Sequence, residues 1–152
     1  MGFTDTDWGG GEDRKSIGGY KFLLNGVAIS WTSKKQSMVT LSSTEAEYMA
    51  LTQAVKKSIW LQGLSQDLGA QHQVEEMQNI NVDNQDTIAL ARNPEFHART
   101  KPIDIQYHFV REHLKKKTIL LSYCPSANMT ADIFTKTLAY PSSTQHNMGL
   151  GL

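Results

Sequence analysis

Near residue 42 the hydrophobic period of the chain changes from two to about 3.6, and that switch restricts the fold more than any other feature of the sequence. Upstream, YKFLLNGVAISWTSKK reads as two strands joined at Asn25-Gly26. That dipeptide accepts the two positive-φ positions of a tight hairpin turn. Before it, MGFTDTDW reads as a further strand, linked to the hairpin by the turn-rich GGGEDRKSIGG. Downstream, LSSTEAEYMALTQAVKKSIWLQGLSQDLG is helical over about 25 residues, long for a globular domain. Ser42 and Glu45 stand at capping-box spacing. Ala50, Ala54, Leu61, Leu64 and Leu68 share one stripe, widened by Leu51 and Val55. Gly69 is placed to end the helix, and Gly63 marks a candidate kink inside it.

The rest of the chain alternates short elements. INVDN is strand-like, and QDTIALARN is a short helix stopped before Pro94. A further helix starts near Pro102, an allowed first-turn position, with Ile103, Tyr107, Val110 and Leu114 as its apolar stripe. TILLSYC is a strand and NMTADIFTKTLA a last helix. The order βββαβαα(β)α predicts an α/β (α+β mixed) domain. Residues 1–138 form one unit, with no internal repeat or linker, and residues 139–152 are an aperiodic, flexible tail.

Composition narrows the class. A chain of 152 residues suits one domain with a sizeable core. The single cysteine, Cys124, excludes an internal disulfide and fits a reducing compartment. No apolar run reaches the ~18 residues of a membrane span, and the polar N-terminus does not read as a signal peptide. The formal net charge is zero. Residues 1–98 nevertheless carry 8 Lys/Arg against 12 Asp/Glu, whereas RTKPIDIQYHFVREHLKKK carries 6 against 2. A neutral total thus hides an acidic region and a basic segment.

Four acids stand apart from the solvated ones. In MGFTDTD, alternation places Phe3, Asp5 and Asp7 on one face and Thr4, Thr6 and Trp8 on the other. Asp5 is therefore mid-strand. Glu47 borders the apolar stripe of the long helix, Asp83 follows INV, and Asp132 opens the last helix among apolar neighbours. A buried carboxylate without a partner costs several kcal/mol or protonates. A cation between converging acids removes that cost, and an all-oxygen donor set favours magnesium or manganese. Four unrelated surface acids are the plainer alternative.

The segments around these acids resemble the RNase H family. They are Phe3-Thr4-Asp5, Glu47-Tyr48-Met49-Ala50, Val82-Asp83-Asn84-Gln85, and Asn128 four residues ahead of Asp132. SSTEAEYMAL, HARTKPIDIQYHFVREH and ADIFTKTL narrow the resemblance to the RNase H domain of copia-type LTR retrotransposon Pol polyproteins, over about residues 2–138. The resemblance implies an RNase H-like fold, a five-stranded mixed sheet with helices packed on both faces. It implies a metal-dependent endoribonuclease that hydrolyses the RNA strand of RNA/DNA hybrids by two-metal-ion in-line attack, leaving a 5′-phosphate and a 3′-hydroxyl. It makes Asp5, Glu47, Asp83 and Asp132 the catalytic residues and the ligands of two Mg²⁺ or Mn²⁺ ions. Asp5 bridges both ions, Asp132 serves the nucleophile side, and Glu47 and Asp83 serve the leaving-group side. Asp5, not Asp7, aligns with the bridging position; Asp7 shapes the field there or simply faces solvent.

Position nominates Gln85, Ser43, Thr44 and Asn128 as substrate contacts near the metals, where 2′-hydroxyls of a hybrid are read, although Ser43 and Thr44 also suit helix capping. Arg99, Lys101, Arg111, Lys115, Lys116 and Lys117 are the candidate phosphate contacts. No separate basic protrusion is evident, which predicts weak substrate affinity for the domain alone. Two departures from the family stand out. The loop PSANMTA lacks the histidine that cellular and retroviral members carry before the last aspartate, which predicts slower turnover or a substitute residue. Only four residues precede Asp5, as in a chain cut from a longer polyprotein. His108 and His113 are five apart and do not share a helical face, so no zinc site is expected. The implied partners are an RNA/DNA hybrid and the reverse transcriptase of the same polyprotein, with no membrane and a monomeric isolated domain. The implied location is the cytoplasm, within a retrotransposon particle, or the nucleus. A catalytically silent RNase H-fold module supporting a reverse transcriptase is the alternative, and a DNA nuclease of the same fold is a third reading.

Overall fold

Strand β1 (Gly2–Asp7) occupies the middle of a five-stranded sheet of order β3-β2-β1-β4-β5. The computed structural model describes residues 1–9, 13–70, 73–93 and 101–135, with residues 101–103 described by backbone alone. β2 (Ile17–Leu24) and β3 (Val27–Lys35) continue from β1 as an antiparallel meander. β4 (Asn79–Val82) and β5 (Leu120–Tyr123) lie parallel on the other side. The expected mixed sheet is present, and its connections follow from local chemistry. Asn25 and Gly26 have φ of 52° and 81°, which closes the β2–β3 hairpin with the twist that adjacent strands require. Phe22 pairs with Ser30 and Leu23 with Ala28, so Ile29 is the extra residue of a bulge.

Helix α1 (Ser43–Asp67) runs uninterrupted past Gly63. Its start is capped by Ser42 Oγ, which accepts from the Glu45 N–H, while Glu45 Oε2 accepts from the Leu41 N–H at 2.9 Å. The return bond thus reaches one residue further back than in the usual capping box. At its end the Ala70 N–H donates to Ser65 O and the Gly69 N–H to Gln66 O, with Gly69 at φ 73°. This is a Schellman motif, and it accounts for glycine at that position.

The buried face of α1 differs from the expected stripe at its C-terminal end. Leu64 and Leu68 are 39% and 74% exposed, while Ser58, Gln62 and Ser65 are buried. The polar side chains are satisfied there. Ser58 Oγ donates to Met77 O, and Gln62 Nε2 donates to Thr118 O at 3.0 Å. A pattern built on apolar residues cannot register a buried face completed by hydrogen-bonded polar ones. Met77 belongs to α2 (Val74–Gln78), a short helix that periodicity did not anticipate.

The main core lies between one face of the sheet and α1, α3 (Gln85–Arg92) and α4 (Lys101–Lys115). Phe22, Leu51, Val55, Ile80, Val82, Val110 and Ile119 are completely buried in it. Tyr48 of α1 and Tyr107 of α4 pack ring against ring, tilted by 44° with centroids 4.0 Å apart. The opposite face carries Phe3, packed on Cys124, Met129 and Ala131, and the buried Lys21, whose ammonium lies 5.1 Å from the Phe3 ring centroid. Burial lowers the Lys21 pKa to about 8. Among the described residues this face is covered by two 3₁₀ turns, Ser126–Asn128 and Asp132–Phe134, where a continuous last helix was expected. Met129, with ψ 85°, leaves the helical region and sinks into the small cluster, breaking the helix before Asp132. The remainder of that expected helix, the boundary at 138 and the tail over 139–152 lie outside the described residues.

α4 also ends in a Schellman motif, the Thr118 N–H donating to His113 O and the Lys117 N–H to Leu114 O. Here the left-handed position is held by Lys117, φ 55°. A side chain there costs roughly 1–2 kcal/mol, partly offset by the greater freedom glycine has when unfolded. Lys117→Gly should raise stability by about 0.5–1 kcal/mol, read as a higher urea midpoint at unchanged m-value.

Candidate metal centre

Three of the four singled-out acids converge. Asp5, Asp83 and Asp132 each offer a carboxylate oxygen, and these oxygens lie within 4.8 Å of one another. Asp5 is brought there by the centre of the sheet. Its strand runs parallel to β4, with Gly2, Phe3 and Thr4 opposite Ile80, Asn81 and Val82, so both strands end at the same edge. Asp83 is the first residue beyond β4 and accepts from Ser126 Oγ at 2.9 Å. Asp132 starts the second 3₁₀ turn, whose approach to the sheet depends on Gly19. That glycine is the cross-strand partner of Asp5. A Cβ on it would meet Thr135 Cγ2 at 2.9 Å and Phe134 Cβ at 3.0 Å. Ser33 Oγ holds the same turn by donating to Phe134 O. The Thr135 hydroxyl donates to Asp5 Oδ2.

Glu47 is buried but is not one of the three acids whose oxygens meet. The turn of α1 that carries it is tied to the sheet. Both Thr6 Oγ1 and Gln36 Nε2 donate to Ala46 O, at 3.3 and 2.9 Å. Asp7, at the end of β1, is partly exposed and lies outside the cluster. The field of the acids reaches Cys124, whose thiol pKa is raised first by burial and then by the charges of Asp83 and Asp132.

The donor set fits a hard divalent ion. Three carboxylates offer oxygen acceptors only, the donor type that magnesium and manganese prefer, and their oxygens come within 4.8 Å of one another.

The candidate substrate contacts are distributed as follows. Gln85, Ser43 and Asn128 are exposed and Thr44 is half-buried. Gln85 lines a shallow groove with Ile88, Ala89, Arg92 and Tyr123. Arg111 donates to Leu90 O and, at 2.7 Å, to Asn93 O, which closes the C-terminal end of α3. Lys116 pairs with Glu112 four residues earlier, and Lys115 and Lys117 are exposed. Lys101 opens α4 but its side chain, like the whole of Arg99, lies outside the described residues. His108 is exposed, and His113 packs edge-on against Phe109. Gly19, Ser33, Ser126 and Thr135 were missed in the sequence, because none is acidic. Only the position of Thr135, three residues after Asp132, hinted at a role.

This is the fold of RNase H. The solved structure of an RNase H1 isolated from compost by a metagenomic approach superposes with a TM-score of 0.60 at 15% identity, over 88% of this chain and 90% of that one. The chain is similar in sequence to retrovirus-related Pol polyproteins of plant transposons. It is 44% identical over 138 residues to the Pol polyprotein of transposon TNT 1-94 from Nicotiana tabacum, and 36% identical over 138 residues to that of transposon RE2 from Arabidopsis thaliana. Both alignments cover 90% of the chain, which spans 10% and 9% of those polyproteins. No family model matches. The three converging acids form an all-oxygen donor set of the kind that suits a divalent metal.

Gly19→Ala should act as an overpacking change, since the nearest neighbours of the new methyl group include the backbone oxygen of Thr32 at 3.3 Å. The expected cost is about 1–3 kcal/mol in urea unfolding. An unchanged midpoint would mean that the turn bearing Asp132 is free to move away.

Proposed function

We propose that the chain is a metal-dependent endoribonuclease that hydrolyses the RNA strand of RNA/DNA hybrids, as the RNase H domain of a retrotransposon Pol polyprotein. The observation that carries this reading is the meeting of Asp5, Asp83 and Asp132 toward the C-terminal ends of the interior strands β1 and β4. Mg²⁺ or Mn²⁺ held there, as a pair in this reading, would supply the charge that acidifies a water and stabilises a leaving 3′ oxygen. Asp5, Asp83 and Asp132 would hold the metal, Asp5 as the shared ligand, Asp132 toward the attacking water and Asp83 toward the leaving group, with Glu47 joining Asp83 if α1 brings it to the bound ion.

The remaining contacts divide into reading and positioning. Gln85, Ser43, Thr44 and Asn128 are polar and accessible or partly so, which suits neutral hydrogen bonds to 2′-hydroxyls. Lys115, Lys116 and Lys117 form an exposed cationic end of α4 suited to phosphates. Arg99 and Lys101 extend that charge in sequence. Arg111 serves the same segment indirectly, by fixing the end of α3. The similarity to Pol polyproteins supports linkage to other Pol domains, in this reading a reverse transcriptase as covalent neighbour. The proposed place of action is a cytoplasmic retrotransposon particle or the nucleus. The isolated domain is assigned as a monomer. No helix among the described residues is long and apolar enough to cross a membrane.

A labelled RNA/DNA hybrid incubated with the chain and magnesium or manganese tests the reading. Cleavage confined to the RNA strand, with 5′-phosphate products, is the expected result, and Asp5→Asn should abolish it while leaving the fold intact. Cleavage of duplex DNA instead would move the chain to another nuclease class. Binding of hybrid without cleavage under either metal would support the catalytically silent module.

Recognition and positioning separate in binding. Gln85→Ala removes about one neutral hydrogen bond, roughly 0.5–1.5 kcal/mol, and should weaken hybrid but not duplex DNA. Replacing Lys115, Lys116 and Lys117 by Ala should weaken both and flatten the salt dependence. Equal loss on both ligands for Gln85→Ala would reverse the assigned roles.

A further inference from the structure

We infer that Thr135 is a positioning residue of the metal centre, its hydroxyl setting the orientation of the Asp5 carboxylate and locking β1 to the turn that carries Asp132. The inference rests on the metal-dependent reading above. Thr135 is buried, and its single hydroxyl proton has two acceptors within reach, Asp5 Oδ2 and, at 3.3 Å, Asp132 O. The contact to Asp5 is the shorter, and a carboxylate is the stronger acceptor, so the proton goes to Asp5. Rotation about the Asp5 Cβ–Cγ bond decides where its second oxygen faces. A bond that holds Oδ2 removes that freedom.

The same residue is bound to the other aspartate through the backbone. The Thr135 N–H donates to Asp132 O at 3.1 Å. One threonine thus joins two carboxylates that come from opposite ends of the chain, 127 residues apart by their numbers. The surroundings are arranged for it. Gly19 leaves the space that the threonine methyl fills, and Ser33 anchors the neighbouring carbonyl of Phe134. Donors that orient metal-binding carboxylates typically change metal affinity by about 10–100-fold when removed.

Two pairs of variants isolate the hydroxyl: the parent against Thr135→Val, and Thr135→Ser against Thr135→Ala. Within each pair the steric change is small and the hydroxyl is lost. Binding of manganese(II) alone is followed by the paramagnetic resonance of the free ion, with circular dichroism as the check on folding. Thr135→Val should bind manganese about tenfold more weakly than the parent, and Thr135→Ala similarly more weakly than Thr135→Ser. Thr135→Ser should stay within about threefold of the parent. The inference is overturned if either hydroxyl-free variant, once folded, binds as well as its hydroxyl-bearing counterpart, or if Thr135→Ser loses as much as Thr135→Val. If Thr135→Val does not fold, the serine–alanine pair alone decides. Should the parent bind no manganese at millimolar ion and cleave no hybrid, the metal-dependent reading itself falls. Binding by the parent without a hydroxyl effect removes only the role of Thr135.

Discussion

Mutual repulsion among Asp5, Asp83 and Asp132 is the constraint around which this end of the molecule is built. With oxygens within 4.8 Å of one another, carboxylates that are ionised together repel at close range. Nothing in the local sequence of any one segment would bring them together. They meet because β1 sits between β2 and β4, antiparallel to one and parallel to the other. The first pairing is hydrogen-bonded and short in range along the chain, through the antiparallel meander. The second requires α1 to cross the sheet and return the chain at β4, parallel to where it began.

The two faces of the sheet then divide the work. The α1 face holds the apolar core and stabilises the domain through Phe22, Leu51, Ile80 and Val110. The other face is mixed in character, with Lys21, Asn81 and Asp5 buried beside Phe3 and Met129. Buried polar groups there are held by specific bonds, such as Asn81 Nδ2 donating to Gly2 O at 3.0 Å. Polar burial of this kind contributes little net stability, but each bond fixes a strand or turn that carries an acid. Hydroxyl donors on Asp5 and Asp83, from Thr135 and Ser126, offset part of the repulsion and preorganise the cluster.

Basic residues illustrate how charge alone misleads. Arg111, Lys115, Lys116 and Lys117 lie in one basic run, yet their surroundings differ. Arg111 spans two carbonyls at the end of α3 and stacks its guanidinium 5.6 Å from the Tyr107 ring centroid. Lys116 is paired within its own helix, and Lys117 occupies a left-handed turn position. A charge count treats these as equal contributors to a nucleic-acid surface, whereas geometry gives Arg111, Lys116 and Lys117 separate local duties.

The sequence alone determined the elements whose causes are local. Asn25-Gly26 specified its hairpin, Ser42 and Gly69 the ends of the long helix, and alternation in β1 placed Asp5 on the face opposite Thr4. The motifs around Asp5, Glu47, Asp83 and Asp132 also carried the resemblance to RNase H, since those residue types recur at fixed places in the family. Tertiary structure decided what depends on contacts between distant segments. It set which acids share a cluster, placed Ser58 and Gln62 rather than Leu64 and Leu68 on the buried face of α1, and ended the expected last helix in 3₁₀ turns. It also decided the fit of Thr135 against Gly19, two residues far apart in the chain. Those outcomes hang on steric room and on hydrogen-bond partners supplied from across the fold, and neither is encoded in the spacing of residues along one segment.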